Sequence, residues 1–260
     1  MDLDGKRVLV TGASRGIGEG MARRFAAEGA RVALVARSAD VLEKLAADLG
    51  GDAYPADLAE SEDRRSVWER IITDGPVDVL VNNAGVDEVN QFVGSDPTAN
   101  DHLLSVNLHA PIHLTRLALP GMLAAGSGHI VNMSSMAAVV PLPGLSVYSA
   151  SKAGLSQFTA GLRSELRGGP VGMTTVEIGV VTTAMAEHLH AYPPTERALR
   201  RLDRIQLSVE MPVDTVVDAT VDAVISGRRH VRLPHRAAVF AMMVGFPRRF
   251  VELALTGVKV

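Results

Sequence analysis

The segment SVYSASKAG, residues 146–154, places Tyr148 four positions before Lys152, so that on a helix the phenol and the ammonium share one face about a turn apart. A free tyrosine titrates near pH 10, so using its phenolate near neutrality requires a shift of about 3 units, on the order of 4 kcal/mol of preferential stabilisation of the charged form. A neighbouring ammonium is one source of that stabilisation. Two hydroxyls, Ser134 and Ser135 in NMSS, precede this segment. A phenol, an amine and a serine together suit proton exchange with an oxygen on which negative charge develops. Taken alone, Tyr and Lys at this spacing also describe an exposed helical pair.

Those groups need a scaffold, and the sequence supplies an alternation of short apolar runs with amphipathic segments. Strands are predicted at residues 7–11, 31–36, 52–56, 77–82, 129–133 and 173–178, with helices at 17–28, 38–49, 61–73, 97–124, 148–167 and 213–226. Strands that read as continuous apolar runs, each followed by a helix, imply a parallel sheet covered on both faces. The expected fold is therefore α/β, a single-domain, doubly wound parallel sheet of the Rossmann type with a variable C-terminal lid and tail. In a chain of 260 residues that is 47% apolar and lacks a polar linker, one domain is expected over residues 1–233, with 234–260 as a basic and apolar extension.

A nucleotide site is predicted where the first strand meets its helix. TGASRGIG puts Gly12, Gly16 and Gly18, with Ser14, Arg15 and Ile17 between them, on a tight turn that lets backbone approach a pyrophosphate at a helix N-terminus. The end of the second strand carries Ala36 and Arg37 where a carboxylate would accept from the ribose 2′-hydroxyl of NAD. Arg15 and Arg37 can instead pair with a 2′-phosphate, so NADP(H) is preferred and NAD(H) remains possible. Asp57, followed by Leu58, is placed to accept from adenine, or to cap a helix. Asn83, Ala84 and Gly85 of NNAG are placed beside the adenosine ribose, or the asparagines tie neighbouring loops.

With a nicotinamide cofactor, the phenol and amine acquire a reaction. Hydride passes between the cofactor and a carbonyl carbon while Tyr148 exchanges a proton with the carbonyl oxygen and a serine hydroxyl binds the same oxygen. Lys152 can also reach the nicotinamide ribose, and Asn107, in LLSVNLHAP, can hold a water chain leading from Lys152 to solvent.

These separated motifs, TGASRGIG, Asp57, NNAG, Asn107, NMSS and YSASK, together resemble the short-chain dehydrogenase/reductase family across nearly the whole chain. The resemblance implies a catalytic group of Asn107, Ser135, Tyr148 and Lys152; Ser135 is the matching serine because it stands 13 positions before Tyr148, and Ser134 becomes structural support. It also implies that Gly12, Gly16 and Gly18 line the pyrophosphate turn, that Asn83 and its neighbours support the ribose, and that Thr183 approaches the nicotinamide carboxamide or the phosphates. A homodimer or homotetramer is implied as well. The family's usual Pro-Gly after the sixth strand is here Ile178-Gly179, which removes a fixed φ but retains the glycine.

The remaining features bound the reading. A net charge of −3 gives no reason to expect nucleic acid, and the lack of cysteine excludes disulfides and thiolate catalysis and agrees with a cytoplasmic location. The start, MDLDGKRVLV, shows no secretory pattern. Residues 184–211 are expected to form a lid over the substrate, with Met185, Leu189, Tyr192 and Leu199 as an apolar wall and Arg197, Arg200, Arg201 and Arg204 meeting an anion or water. His188 and His190 lack a third ligand, so no metal site is expected. The run AAVFAMMVGF is too short to span a bilayer; subunit or intramolecular packing is favoured over contact with a membrane surface. The expected activity is carbonyl–alcohol interconversion on a 3-oxoacyl thioester, steroid, lipid-like or xenobiotic substrate. The alternatives are a non-catalytic nucleotide-sensing or interaction protein on the same fold and a peripheral membrane lipid reductase.

Overall fold

The computed structural model describes residues 1–204, 208–236 and 242–243. Seven parallel strands form one sheet: β1 (Arg7–Thr11), β2 (Arg31–Ala36), β3 (Asp52–Pro55), β4 (Val79–Asn82), β5 (Gly128–Met133), β6 (Val171–Ile178) and β7 (His230–Leu233). Their order is β3-β2-β1-β4-β5-β6-β7. Succession runs outward from β1 in one direction through β3 and in the other from β4, so the strand order reverses between β1 and β4. At such a reversal the loops leaving the carboxyl ends diverge and leave a crevice. The register sets Val10 beside Val81, which brings the turns after β1 and β4 together at that crevice.

Side chains of β1 alternate between the two faces. Val8 and Val10 pack with Val32, Leu34, Met21, Phe25 and Val217 on one face. Leu9 packs with Ala33, Val35, Leu80, Trp68 and Leu114 on the other. The first face is covered by α1 (Gly16–Ala27), α2 (Ala39–Leu49) and α9 (Val213–Ser226); the second by α3 (Ser61–Thr73) and α5 (Ala110–Ala124). Helices on both faces explain why the strands carry unbroken apolar runs.

Three local features depart from the pattern read in the sequence. The helical stretch predicted over 97–124 contains α4 (Pro97–Leu104) and α5 joined by a π-helical turn, Ser105–His109, with Asn107 at its centre. A seventh strand, β7, occupies HVRL, at the end of the expected domain, where no strand was predicted. It pairs with β6 from Thr175↔His230 to Ile178↔Leu233. Its alternating polar residues have partners there, with Arg232 Nε 2.6 Å from Glu177 Oε2. The segment expected as a lid is two helices, α7 (Ala184–Ala191) and α8 (Pro193–Arg204), and a bridge between Val181 and Met211 closes its base.

The remaining helix, α6 (Ser146–Glu165), carries SVYSASK in its first two turns. No described helix is long and apolar enough to cross a membrane. Of the apolar tail run, only Met242 and Met243 are described, and both are exposed; the rest lies outside the described residues.

Candidate active site

The turn after β1 is built by glycines that tolerate no side chain. Gly12 and Gly16 have φ of 65° and 59°, in the region that disfavours residues with a Cβ. A Cβ on Gly12 would lie 2.8 Å from Ala84 Cα, and one on Gly18 would lie 2.1 Å from Gly12 O. α1 begins here without a side-chain cap, so its first N–H groups face the crevice. The neighbouring NNAG loop is tied to the same turn: Asn83 Nδ2 donates to Thr11 O at 3.0 Å, and Asn83 N and Ala84 N both donate to Thr11 Oγ1 at 3.0 Å. Asn83 therefore acts through its side chain as a strut, while the backbone of residues 83–85 forms part of the wall.

One cavity of about 1110 Å³ runs from this turn along the carboxyl ends of the strands to α6 and α7. Gly12, Ser14, Arg15, Gly16, Ile17, Gly18, Arg37, Asp57, Leu58, Asn83, Ala84, Gly85, Gly179 and Thr183 all line it, as do Ser135, Tyr148 and Lys152. Asn107 does not. Arg15 and Arg37 are exposed and no ion pair involves them among the described residues, which leaves both guanidiniums available to an anion. Asp57 Oδ1 accepts from Ala59 N at 2.9 Å, so the carboxylate also fixes its own turn. Gly179 N donates to Leu233 O at 2.8 Å, and a Cβ there would lie 3.2 Å from Pro234 Cδ, so β7 fixes the loop that follows Ile178.

At the inner end, α6 is anchored to the sheet by buried polar contacts. Asn82 Nδ2 donates to Asn132 Oδ1 at 2.8 Å, and Asn132 Nδ2 donates to Thr159 Oγ1 at 2.8 Å, linking β4, β5 and α6. Ser134 Oγ donates to the Lys152 carbonyl at 3.0 Å and lies 2.8 Å from Ser156 Oγ. Lys152 Nζ donates to Met133 O at 2.9 Å and stands 5.7 Å from the centre of the Tyr148 ring. Ser135 Oγ accepts from Ala137 N at 3.1 Å.

Asn107 is fully buried outside the cavity wall. Its Oδ1 accepts from Val86 N at 2.9 Å and its Nδ2 donates to Val86 O at 2.8 Å, matching both backbone groups of the loop after β4. Nδ2 also reaches Ser151 Oγ on α6 at 3.3 Å. The π-turn gives this asparagine its position, and Pro111, at the start of α5, has no N–H to offer the Asn107 carbonyl. A Cβ on Gly85 would lie 3.4 Å from Asn107 Oδ1 and 3.5 Å from Lys152 Nζ, so this glycine separates the two by the width of a backbone.

Enclosure dominates the ionisation of the pair. Burial raises the Tyr148 phenol to about 12; the Asp87 charge adds to that rise, and a hydrogen bond with Ser135 opposes it. Burial pulls Lys152 down to about 8. Each group is thus held toward its neutral form in the protein by itself, whereas the expectation from the sequence was a phenol drawn down by neighbouring positive charge, with no account of burial.

The expected lid contributes Met185, Leu189 and Leu199 to the wall, joined by Leu202. Tyr192 packs at Gly144 instead of lining the cavity, where a Cβ would meet its ring at 2.8 Å. Arg197, Arg200, Arg201 and Arg204 are exposed on the outer face of α8, so the charge run is a solvated face. His188 and His190 contact Asp87 and Glu196, and the described residues contain no group of His, Cys, Asp or Glu that could hold a metal. Sequence reasoning missed the buried Asn82–Asn132–Thr159 link, the wall residues Val139 and Val140, and Asp87. The first was legible only as apolar strands interrupted by asparagine, and the others fall between motifs.

A doubly wound sheet with a glycine turn at its reversal point and a Ser, Tyr and Lys grouping beyond it defines a nucleotide-dependent oxidoreductase architecture. The family model for short chain dehydrogenase matches residues 6–193, and the chain belongs to that family. Nodulation protein G of Rhizobium sp. (strain N33) is 37% identical over 192 residues, 73% of this chain and 78% of that protein. A short-chain dehydrogenase from Sphingobium yanoikuyae, solved in complex with NADPH, superposes with a TM-score of 0.82 at 28% identity, covering 98% of each chain. A metagenomic short-chain oxidoreductase, solved in complex with NADP, gives a TM-score of 0.71 at 31% identity, covering 90% of this chain and 98% of that one.

Proposed function

We propose that this protein is an NADP(H)-dependent oxidoreductase that interconverts a carbonyl compound and an alcohol, with Tyr148 exchanging the proton. The observation that carries this reading is the single cavity that joins the glycine turn and two available arginines at one end to Ser135, Tyr148 and Lys152 at the other. NADP(H) is supported by Arg15 and Arg37 at the place where a ribose 2′-phosphate would lie, and by the two solved relatives that hold NADPH or NADP.

The residues present fit such a dinucleotide. Positions 12 and 18 leave room that any Cβ would fill, the uncapped start of α1 faces the same space, and Asp57 and Leu58 close it at the side. When bound, the dinucleotide supplies or accepts the hydride. In reduction Tyr148 gives its proton to the carbonyl oxygen, and Ser135 donates a hydrogen bond to that oxygen as charge develops on it. Lys152, held by Met133 O, lends positive charge beside the phenol and has protons left to position a ribose. Asn107 holds the loop after β4 against α6, and its carbonyl, offered no N–H by Pro111, can take a water that relays protons to Lys152. The protonated phenol suits the reducing direction.

A panel of ketones and aldehydes, followed through the absorbance of NADPH and of NADH separately, tests the assignment. Turnover with NADPH in clear excess over NADH is expected. Tyr148→Phe should bind NADPH nearly as the wild type does, yet lose turnover by a factor of about 10²–10⁴. Replacing Arg15 and Arg37 together by alanine should remove most of the preference for NADPH. Normal turnover by the phenylalanine variant removes Tyr148 from its role, and a preference that survives the double replacement removes the arginine clamp.

A further inference from the structure

Arg64 is a charge in an apolar place. The inner side of α3 otherwise carries Val67, Trp68 and Ile71, all buried in the core beneath the sheet. Arg65 beside it is exposed and pairs with Glu62 at 3.0 Å. Arg64 turns inward instead and is only 7% exposed. Among the described residues no carboxylate stands within ion-pairing distance of its guanidinium, and burial lowers the pKa of the group. A buried cation of this kind is costly unless its donors are met.

They are met beside the nucleotide end of the cavity. Nη1 donates to Leu58 O at 2.6 Å and to Ala59 O at 2.9 Å, and Nε donates to Nδ1 of His113, on α5, at 3.1 Å. The imidazole accepts and is therefore neutral, and burial and the Arg64 charge both hold its pKa below the usual histidine value. β3 is the edge strand, and its ladder with β2 ends where Ala56 N donates to Ala36 O. The turn that follows has a strand on one side only. Its other side-chain ties come from within itself and from the first turn of α3: Asp57 Oδ1 accepts from Ala59 N, and Asp63 Oδ2 accepts from Asp57 N at 3.3 Å. Arg64 fastens this turn to α5. Because a guanidinium holds its donors in one plane, two carbonyls and an imidazole bound to it cannot shift independently.

Asp57 and Leu58 line the cavity at that end. We propose that Arg64 is a positioning residue for the dinucleotide: its grip on Leu58 O and Ala59 O sets where Asp57 and Leu58 stand against the adenosine half. Arg64 thus governs affinity for that half and not the proton transfer at Tyr148. This inference rests on the oxidoreductase reading and deepens its cofactor site.

The test measures the Kd of NADPH and of 2′,5′-ADP, an adenosine-half probe without nicotinamide, for the wild type, Arg64→Met, Arg64→Lys and His113→Leu. Thermal melting of each variant is recorded, as are KM for NADPH and kcat on a carbonyl compound that the wild type turns over. Arg64→Met should weaken NADPH and 2′,5′-ADP by a similar factor, about tenfold or more. The loss should appear in KM for NADPH, with kcat at saturating NADPH changed by less than about twofold. Arg64→Lys keeps a charge but not the planar fork, and should recover part of the affinity. His113→Leu leaves the two carbonyl bonds in place and should weaken both ligands by about threefold. The half-buried site of His113 on α5 lets that variant fold whether or not Arg64→Met does. The Kd arm needs no substrate.

An unchanged affinity for 2′,5′-ADP in folded Arg64 variants, even with a lower melting temperature, would overturn the proposal and leave the guanidinium a support of stability alone. A loss confined to NADPH, or a kcat that falls as far as the affinity, would do the same. If neither Arg64 variant folds, unchanged 2′,5′-ADP binding by His113→Leu overturns it. All of these outcomes leave the oxidoreductase reading in place. Failure of the wild type to bind NADPH would overturn that reading, and the proposal with it.

Discussion

Enclosing a lysine and a tyrosine side by side costs stability, and the cost is measurable at Lys152. Its ammonium is pulled from 10.5 to about 8 by burial. Below about pH 8 both folded and unfolded chains carry the proton and the folded state bears the full penalty. Between about 8 and 10.5 the unfolded chain binds more protons, so this group's contribution to stability improves as pH rises through that window. Lys152→Met removes the penalty, worth up to about 3 kcal/mol, but forfeits the bond to Met133 O, worth about 1 kcal/mol. The variant should be about 2 kcal/mol more stable at pH 7, by denaturant unfolding at a series of pH values, with the gap closing toward pH 10. An equal or lower midpoint at pH 7 would show that the ammonium is not held at such a cost. Asp87 sits at the same scale, and the sequence offered no signal for it: it follows NNAG without joining any spaced pattern, and only the enclosure of its side chain distinguishes it from the surface acids.

Elements decide where these residues stand, and here the sequence was most informative. The strands through β6 and their covering helices were legible because two-sided burial demands apolar runs that few loops could mimic. β7 was not, since HVRL at the sheet edge carries two polar residues whose partners, Glu177 among them, come from another strand. The π-turn was likewise invisible, because Ser105–His109 keeps the apolar spacing of an ordinary helix and differs only in the hydrogen bond from Ala110 N to Ser105 O. The glycine turn, by contrast, follows from contact distances. Gly18→Ala would place a methyl 2.1 Å from Gly12 O, and neither β1 nor α1 has room to recede. The variant should lose NADPH affinity by at least about tenfold or unfold at a markedly lower temperature, as titration and thermal melting would show. Gly161, inside α6, whose added Cβ would meet nothing within 4 Å, serves as the control: Gly161→Ala should leave NADPH affinity unchanged and hold or slightly raise the melting temperature, since alanine is the better helix former.

At the scale of the molecule, His129 links the centre of the sheet to acid tolerance. It lies buried on β5 with Nε2 2.8 Å from Thr174 Oγ1, and that hydroxyl in turn donates to Arg228 O at 2.6 Å. The imidazole N–H therefore donates to Thr174, and burial, aided by the N-terminal amine and Arg163, holds its titration down at about 4. Between pH 6.5 and about 4 the unfolded chain takes up a proton that the folded protein refuses, so stability falls as pH drops through that window, by up to about 3 kcal/mol from this residue. His129→Gln, which keeps a donor without the titration, should flatten the acid limb of a melting-temperature profile; an unaltered slope would assign acid sensitivity elsewhere.

The bridge between Val181 and Met211 brings the two stalks of the α7–α8 excursion side by side at the rim of the sheet. Because the chain departs and returns at one point, whatever lies between those stalks can be lengthened, shortened or exchanged at a small entropic penalty and with little disturbance to β6 or α6. The part of the cavity wall that α7 and α8 supply, Met185, Leu189 and Leu199, is thereby modular: descendants of this chain could reshape it by replacing one contiguous block, while Val139, Val140 and the grouping of Ser135, Tyr148 and Lys152 keep their places.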